Sequence, residues 1–302
     1  MKIDLLSVMS ILTTLAVSTP SFAASKVSKA ASNQTASSTV AVNQNAAFNS
    51  STMRAEQASE FPMVSGFIQA SRSTNLYDFQ DGTRQDGMDY IARVNINLTK
   101  IHLIRIDGGY TQSMTNPEMS DWNDTSISFR KNPTLISWPV LLGYSVGGVI
   151  PTSKDSYKRQ NSIASATTSL TAAINPSVLK PGVSVTGILS FAKNFHEYET
   201  DINGKVLNQY TSSQILSLSY EWPARISISA NLVHRNALTY QNNIRESFEI
   251  SEELGYDINK RFSVALGHSN SGNALKPNGV DSNIQVMDEN SSVIYASGTM
   301  TF

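Results

Sequence analysis

The chain is 302 residues long, with a formal net charge of -1, only 16% charged residues and no cysteine. That balance gives no electrostatic footprint for a nucleic-acid partner. The absence of cysteine excludes a disulfide scaffold, a thiol nucleophile and cysteine-based zinc sites, so stability must come from burial and hydrogen bonding.

Residues 1–23 carry Lys2, an apolar run over 5–17 and the small-x-small triplet Ser21-Phe22-Ala23. This is the pattern of a secretory signal peptide cleaved near Ala23, and its apolar run is too short to cross a bilayer as a helix. Residues 24–60 are rich in Ala, Ser, Asn, Gln and Thr and poor in large apolar side chains. Such a segment cannot bury enough surface to offset its ordering entropy and reads as a disordered extension, with a docking helix at 52–59 as the alternative. No later run of about 18 apolar residues offers a transmembrane helix.

From residue 61 onward the pattern changes to segments with period-two alternation, separated by turn-rich connections. Twelve such segments are predicted as strands: 63–72, 88–98, 102–112, 125–131, 140–151, 162–174, 183–195, 208–222, 225–235, 247–257, 262–271 and 292–302. The odd-numbered connections, such as 73–87, 152–161, 236–246 and 272–291, are long and polar. The even-numbered ones, such as 99–101, 223–224 and 258–261, are mostly short. In 225–235, Ile226, Ile228, Ala230 and Leu232 oppose Ser227, Ser229 and Asn231; in 88–98, Tyr90, Ala92, Val94, Ile96 and Leu98 oppose Asp89, Arg93, Asn95 and Asn97.

The last segment ends SSVIYASGTMTF, with Met300 and Phe302 on its apolar face. A closing strand with a terminal aromatic resembles that of bacterial outer-membrane β-barrels. The resemblance implies an all-β, antiparallel transmembrane β-barrel of about twelve strands over 61–302, with short periplasmic turns and longer extracellular loops. It also implies that 24–60 lies in the periplasm, that the barrel sits in outer-membrane lipid, and that Phe302 and Met300 are part of the signal read by the barrel-assembly machinery. Aromatic residues near strand ends, namely Trp138, Trp222, Tyr220, Tyr256 and Phe262, suit an interfacial girdle. A soluble β-sandwich with its apolar face inward has the same alternation and is the rival fold.

Two charges fall on apolar faces. Lys193 shares its face with Val185, Leu189 and Phe191, near the end where it can snorkel. Glu252 shares one with Phe248, Ile250, Leu254 and Tyr256, so either a β-bulge at Glu252-Glu253 corrects the register or Glu252 meets a partner. The other face supplies the lumen-lining charges Arg93, Arg105, Asp107, Arg130, Glu221, Glu249, Glu253 and Asp257. The arginines come from early strands and most carboxylates from late ones, which suits a transverse field, a cross-lumen network, or charges paired within a polar interior.

The stretch His268-Ser269-Asn270-Ser271 is superficially similar to the site of outer-membrane phospholipase A. In that family the histidine and the nucleophilic serine stand two residues apart on one face. Here Asn270 holds that position and Ser269 points to the opposite face, out of reach of its base, so no catalytic residue is assigned. An aspartate-histidine protease site would need His196, His234 or His268 to converge with loop carboxylates such as Asp78, Asp81, Asp86 and Asp124. The acidic loop lacks calcium-loop spacing, and no metal or cofactor is expected. The sequence therefore points to a narrow porin-like channel for passive diffusion of small polar solutes. A non-conducting structural or surface-binding barrel is the alternative, and an outer-membrane hydrolase stands behind both.

Overall fold

The computed structural model describes residues 62–76, 85–115, 119–276, 281–288 and 291–302. The signal peptide read at 1–23, the extension at 24–60 and the loop residues Asp78 and Asp81 lie outside them. The strands are β1 (Val64–Asn75), β2 (Asp86–Asn97), β3 (His102–Ser113), β4 (Asp121–Trp122), β5 (Thr125–Ser137), β6 (Val140–Ile150) and β7 (Ser162–Ile174). They continue with β8 (Val183–His196), β9 (Asn208–Glu221), β10 (Ile226–Thr239), β11 (Ile244–Asp257), β12 (Phe262–Asn273) and β13 (Ser292–Thr301). Twelve of these pair antiparallel with their neighbours in sequence, and β13 pairs with β1, which closes the barrel. The two-residue β4 lies in the connection between β3 and β5 and pairs with the top of β3.

The faces are the reverse of those in a water-soluble protein. On β10, Ile226, Ile228 and Leu232 are exposed on the outside, while Ser229 and Asn231 are 5% and 6% exposed on the inside. A β-sandwich would bury the first set and solvate the second, so this arrangement rules out the rival fold. Exposed aromatics mark the end that carries the short turns and the C terminus: Trp138, Trp222, Tyr256, Phe262 and Phe302. Lys193 keeps its outward place, with its ammonium 5.2 Å from the Phe195 ring and 5.6 Å from that of Tyr210.

The last residue adds to the closure that nine register pairs of β1 and β13 make. Gly66 N donates to Phe302 O at 2.9 Å and Phe302 N returns a bond to Gly66 O at 3.0 Å. A Cβ added at Gly66 would stand 2.1 Å from the Arg93 carbonyl oxygen on β2 and 2.9 Å from Phe302 Cζ, so glycine is required first by the neighbouring backbone and also leaves room for the ring. Both sheet edges disappear in this pairing.

Three expectations need correction. Strand β5 does not end at Lys131 but runs to Ser137, absorbing Asn132 and Pro133 in register shifts against β6, and the turn is reduced to Trp138-Pro139, joined by a cis peptide. Proline cannot donate to a ladder, and here it falls in the irregular stretch where the pairing with β6 shifts register. The connection expected at 236–246 is also short, because β10 reaches Thr239 and β11 starts at Ile244. Its polar residues pair in register above the apolar band, as Asn236 does with Glu246. Finally, no bulge occurs at Glu252-Glu253: the register of β11 with β10 and β12 is continuous there. Glu252 stays on the outer wall, its carboxylate 3.3 Å from His268 Nδ1.

Candidate functional site

Inward positions divide the lumen into a filled half and an open half. On β1–β3 and β10–β13 the inward side chains are long and packed: Gln69, Asp89, Arg93, Asn95, Arg105, Glu249, Glu253 and Tyr295 are all buried. On β5–β9 they are mostly serine, threonine and glycine, and they leave space.

The filled half is held by paired polar groups, as a buried polar interior requires. Arg93 forms an ion pair with Asp107 on the adjacent strand and lies over the Phe67 ring, 5.0 Å from its centre. Asp107 also accepts a bond from Ser126 Oγ at 3.3 Å. Arg105 Nε donates to Asn95 Oδ1 at 2.9 Å, and Thr111 Oγ1 donates to Asp89 Oδ1 at 2.8 Å. On the late strands, Arg235 of β10 donates to Glu249 Oε2 of β11 at 2.8 Å, and Tyr295 Oη of β13 reaches past β12 to donate to Glu253 Oε2 of β11 at 3.3 Å. Tyr295 occupies the space above Gly267, where a methyl group would come within 2.2 Å of its ring.

All eight sequence-derived charges are on inward positions. Arg93, Arg105, Asp107 and Arg130 lie together on β2, β3 and β5, and Glu249 and Glu253 lie on β11. Glu221 and Asp257 stand at the turn end, opposite Ser227 and Ser263 in register. The charges pair locally, Arg93 with Asp107 and Glu249 with Arg235 on adjacent strands, which is the arrangement of charges paired within a polar interior. Arg235 is a lumen residue that the sequence reading did not select. Its parity with Ser229, Asn231 and Val233 was the available signal.

The open half is a cavity of ≈ 310 Å³. Ser126, Ser128, Arg130, Ser145, Thr167, Ser169, Thr171 and Ser190 line it from β5 to β8, and Arg93 and Asp107 bound it from the filled side. Ser145 and Ser169 bridge neighbouring strands, oxygen to oxygen, at 2.6 Å. At the loop end Asn123 and Asp124 border the cavity. Here the connection at 151–161 is clasped to the barrel: Ser153 N donates to Asp124 Oδ1 at 2.9 Å, Lys154 N to Asp121 Oδ2 at 2.6 Å and Thr152 Oγ1 to Asn123 O at 2.7 Å. The carboxylates therefore fix the shape of the rim.

The histidines do not converge. His196 Nδ1 is 3.3 Å from Tyr240 Oη, while His234 and His268 lie on the outer wall beside Gln214 and Glu252. Ser269 points inward and is 1% exposed, whereas Asn270 shares the outer face with His268. Among the described residues no group of three or more His, Asp and Glu is placed to hold a metal ion.

No protein-family model matches the chain, and no curated protein matches its sequence. Solved structures do match in shape. An outer membrane channel from Pseudomonas putida F1 superposes with a TM-score of 0.55 at 13% identity, over 80% of this chain and 97% of that one. The NanC porin superposes with a TM-score of 0.51 at 7% identity, over 78% and 99%. At these identities the likeness speaks to fold, and with the inverted faces and terminal closure it establishes the architecture: this chain has the closed, twelve-stranded antiparallel fold of the outer-membrane β-barrels.

Proposed function

We propose that the protein is a narrow channel of the outer membrane through which small polar solutes diffuse passively, without a chemical step. The turn end with its aromatic belt would face the periplasm, and the leader read at 1–23 would direct export. The observation that carries this reading is the off-centre cavity, whose wall of serine and threonine hydroxyls offers both donors and acceptors to a hydrated solute. Its volume of ≈ 310 Å³ lies at the lower end of ligand-sized cavities, which suits molecules the size of a simple sugar or smaller. The charges at its border are of both signs, Arg93 and Arg130 against Asp107 and Asp124, so strong selectivity for either ion sign is not expected.

The filled half favours a second reading, a barrel closed by its own side chains that acts at its surface. Recording from refolded protein in planar bilayers separates the two. The channel reading expects discrete, small conductance steps, with permeation of neutral polyols in a vesicle-swelling assay. Silence in both experiments with correctly folded barrel would assign the protein to the second reading.

A further inference from the structure

The outer wall is not uniformly apolar. On β8 the outward positions run Val185, Gly187, Leu189 and Phe191 and, past Lys193, reach Phe195. On β11 and β12 polar groups interrupt the apolar run: Glu252 stands between Leu254 and Ile250, and Phe262, Val264 and Leu266 lead to His268 and Asn270. Polar groups facing outward at that height would break the belt a bilayer requires.

Residues 281–288 cover the upper part of this gap, at Asn270, and leave the pair of Glu252 and His268 outside. They lie over the outside of β12 rather than in the lumen. Asn270 Nδ2 donates to Gln285 O at 2.8 Å, Asn283 N donates to Ala274 O at 2.8 Å and Asn283 Nδ2 donates to Asn273 O at 3.1 Å. Ser291 Oγ closes the other side, donating to Asn270 Oδ1 at 2.6 Å. As a result Asn270 is 1% exposed, and outward Phe248 and Ser292 are buried as well. The surface presented instead is apolar: Ile284, Val286 and Met287 are 49%, 55% and 64% exposed.

We propose that 281–288 is a lipid-facing flap: it hides the polar top of this wall and offers Ile284, Val286 and Met287 to the acyl chains of the outer leaflet, with Asn270 as its anchor. The proposal rests on the outer-membrane reading above. Three apolar side chains within four positions, beside a backbone whose carbonyl at Gln285 is bonded inward, have no use in a solvated loop. They continue the band that Leu266 and Ile294 begin, at a depth where an interfacial segment gains from burying apolar surface.

The absence of native cysteine makes the test direct. Single variants Ile284→Cys, Met287→Cys and Leu266→Cys are labelled with a small fluorophore, refolded into phospholipid vesicles, and exposed to brominated lipids or to aqueous iodide. Most of the emission at 284 and 287 should be lost to brominated lipid, with little loss to iodide, as at 266. Adding Asn270→Leu to the labelled Ile284→Cys chain should release the flap and convert its quenching to the iodide pattern. Lipid quenching at 266 with iodide quenching at 284 and 287 would overturn the flap alone. Iodide quenching at 266 as well would overturn the membrane reading on which it rests.

Discussion

Arg93 and Asp107 are the pair on which the inner wall of β2 and β3 turns, since each holds a charge that the filled lumen does not solvate fully. Asp107→Asn should destabilise the barrel by about 1–3 kcal/mol, because the guanidinium keeps its burial but loses its ionic partner. The temperature at which the barrel loses its fast mobility in a denaturing gel is the readout, and Arg93→Gln combined with Asp107→Asn should recover part of the loss. Gly267→Ala tests packing rather than charge. Its methyl group would come 2.2 Å from Tyr295 Cζ, so the ring must leave and give up its bond to Glu253. A loss of about 1–3 kcal/mol is expected from such overpacking, read in the same assay. On the outer wall the sign reverses: replacing Glu252 and His268 together by leucine removes a polar pair from an apolar belt and should leave stability unchanged or raised by up to about 2 kcal/mol. A clear loss would show that the pair meets a partner.

At the scale of elements, period-two alternation carried most of the fold. Segments with a simple inside-outside pattern, such as β7 (Ser162–Ile174), were legible to the residue. Difficulty came where a local signal competed with pairing. The alternation read as ending at Lys131, yet β5 continues through a register shift at Asn132-Pro133, and the polar residues at the top of β10 read as loop although they extend the ladder. Loop direction left no trace in the sequence: that 281–288 lies outside the barrel depends on Asn270, whose outward place became informative only once its burial was known. The closing strand was legible from its own alternation and terminal Phe302, whereas the part of Gly66, whose backbone exchanges two hydrogen bonds with Phe302, was not. Deleting Phe302 removes its main-chain bonds to Gly66 and that ring, so the truncated chain should assemble poorly and unfold at lower temperature. Normal insertion and an unchanged gel transition would contradict this role.

For the whole molecule, the inward identity of all eight charges followed from parity, but the division of the lumen did not. Composition along β5–β8 shows many serines and threonines, while the filling of the opposite half depends on long side chains meeting between neighbouring strands, such as Tyr295 over Gly267 and Arg235 on Glu249. The resulting cavity is off-centre, and that asymmetry is the core of the functional reading. A cysteine-free background makes it measurable. Single-channel current should be recorded from Ser190→Cys, in the open half, and Ser269→Cys, in the filled half, before and after a charged, water-soluble thiol reagent. The account predicts that modification at 190 reduces the current stepwise while the chain with cysteine at 269 is unaffected; equal modification at both positions, or no current from either, would contradict it.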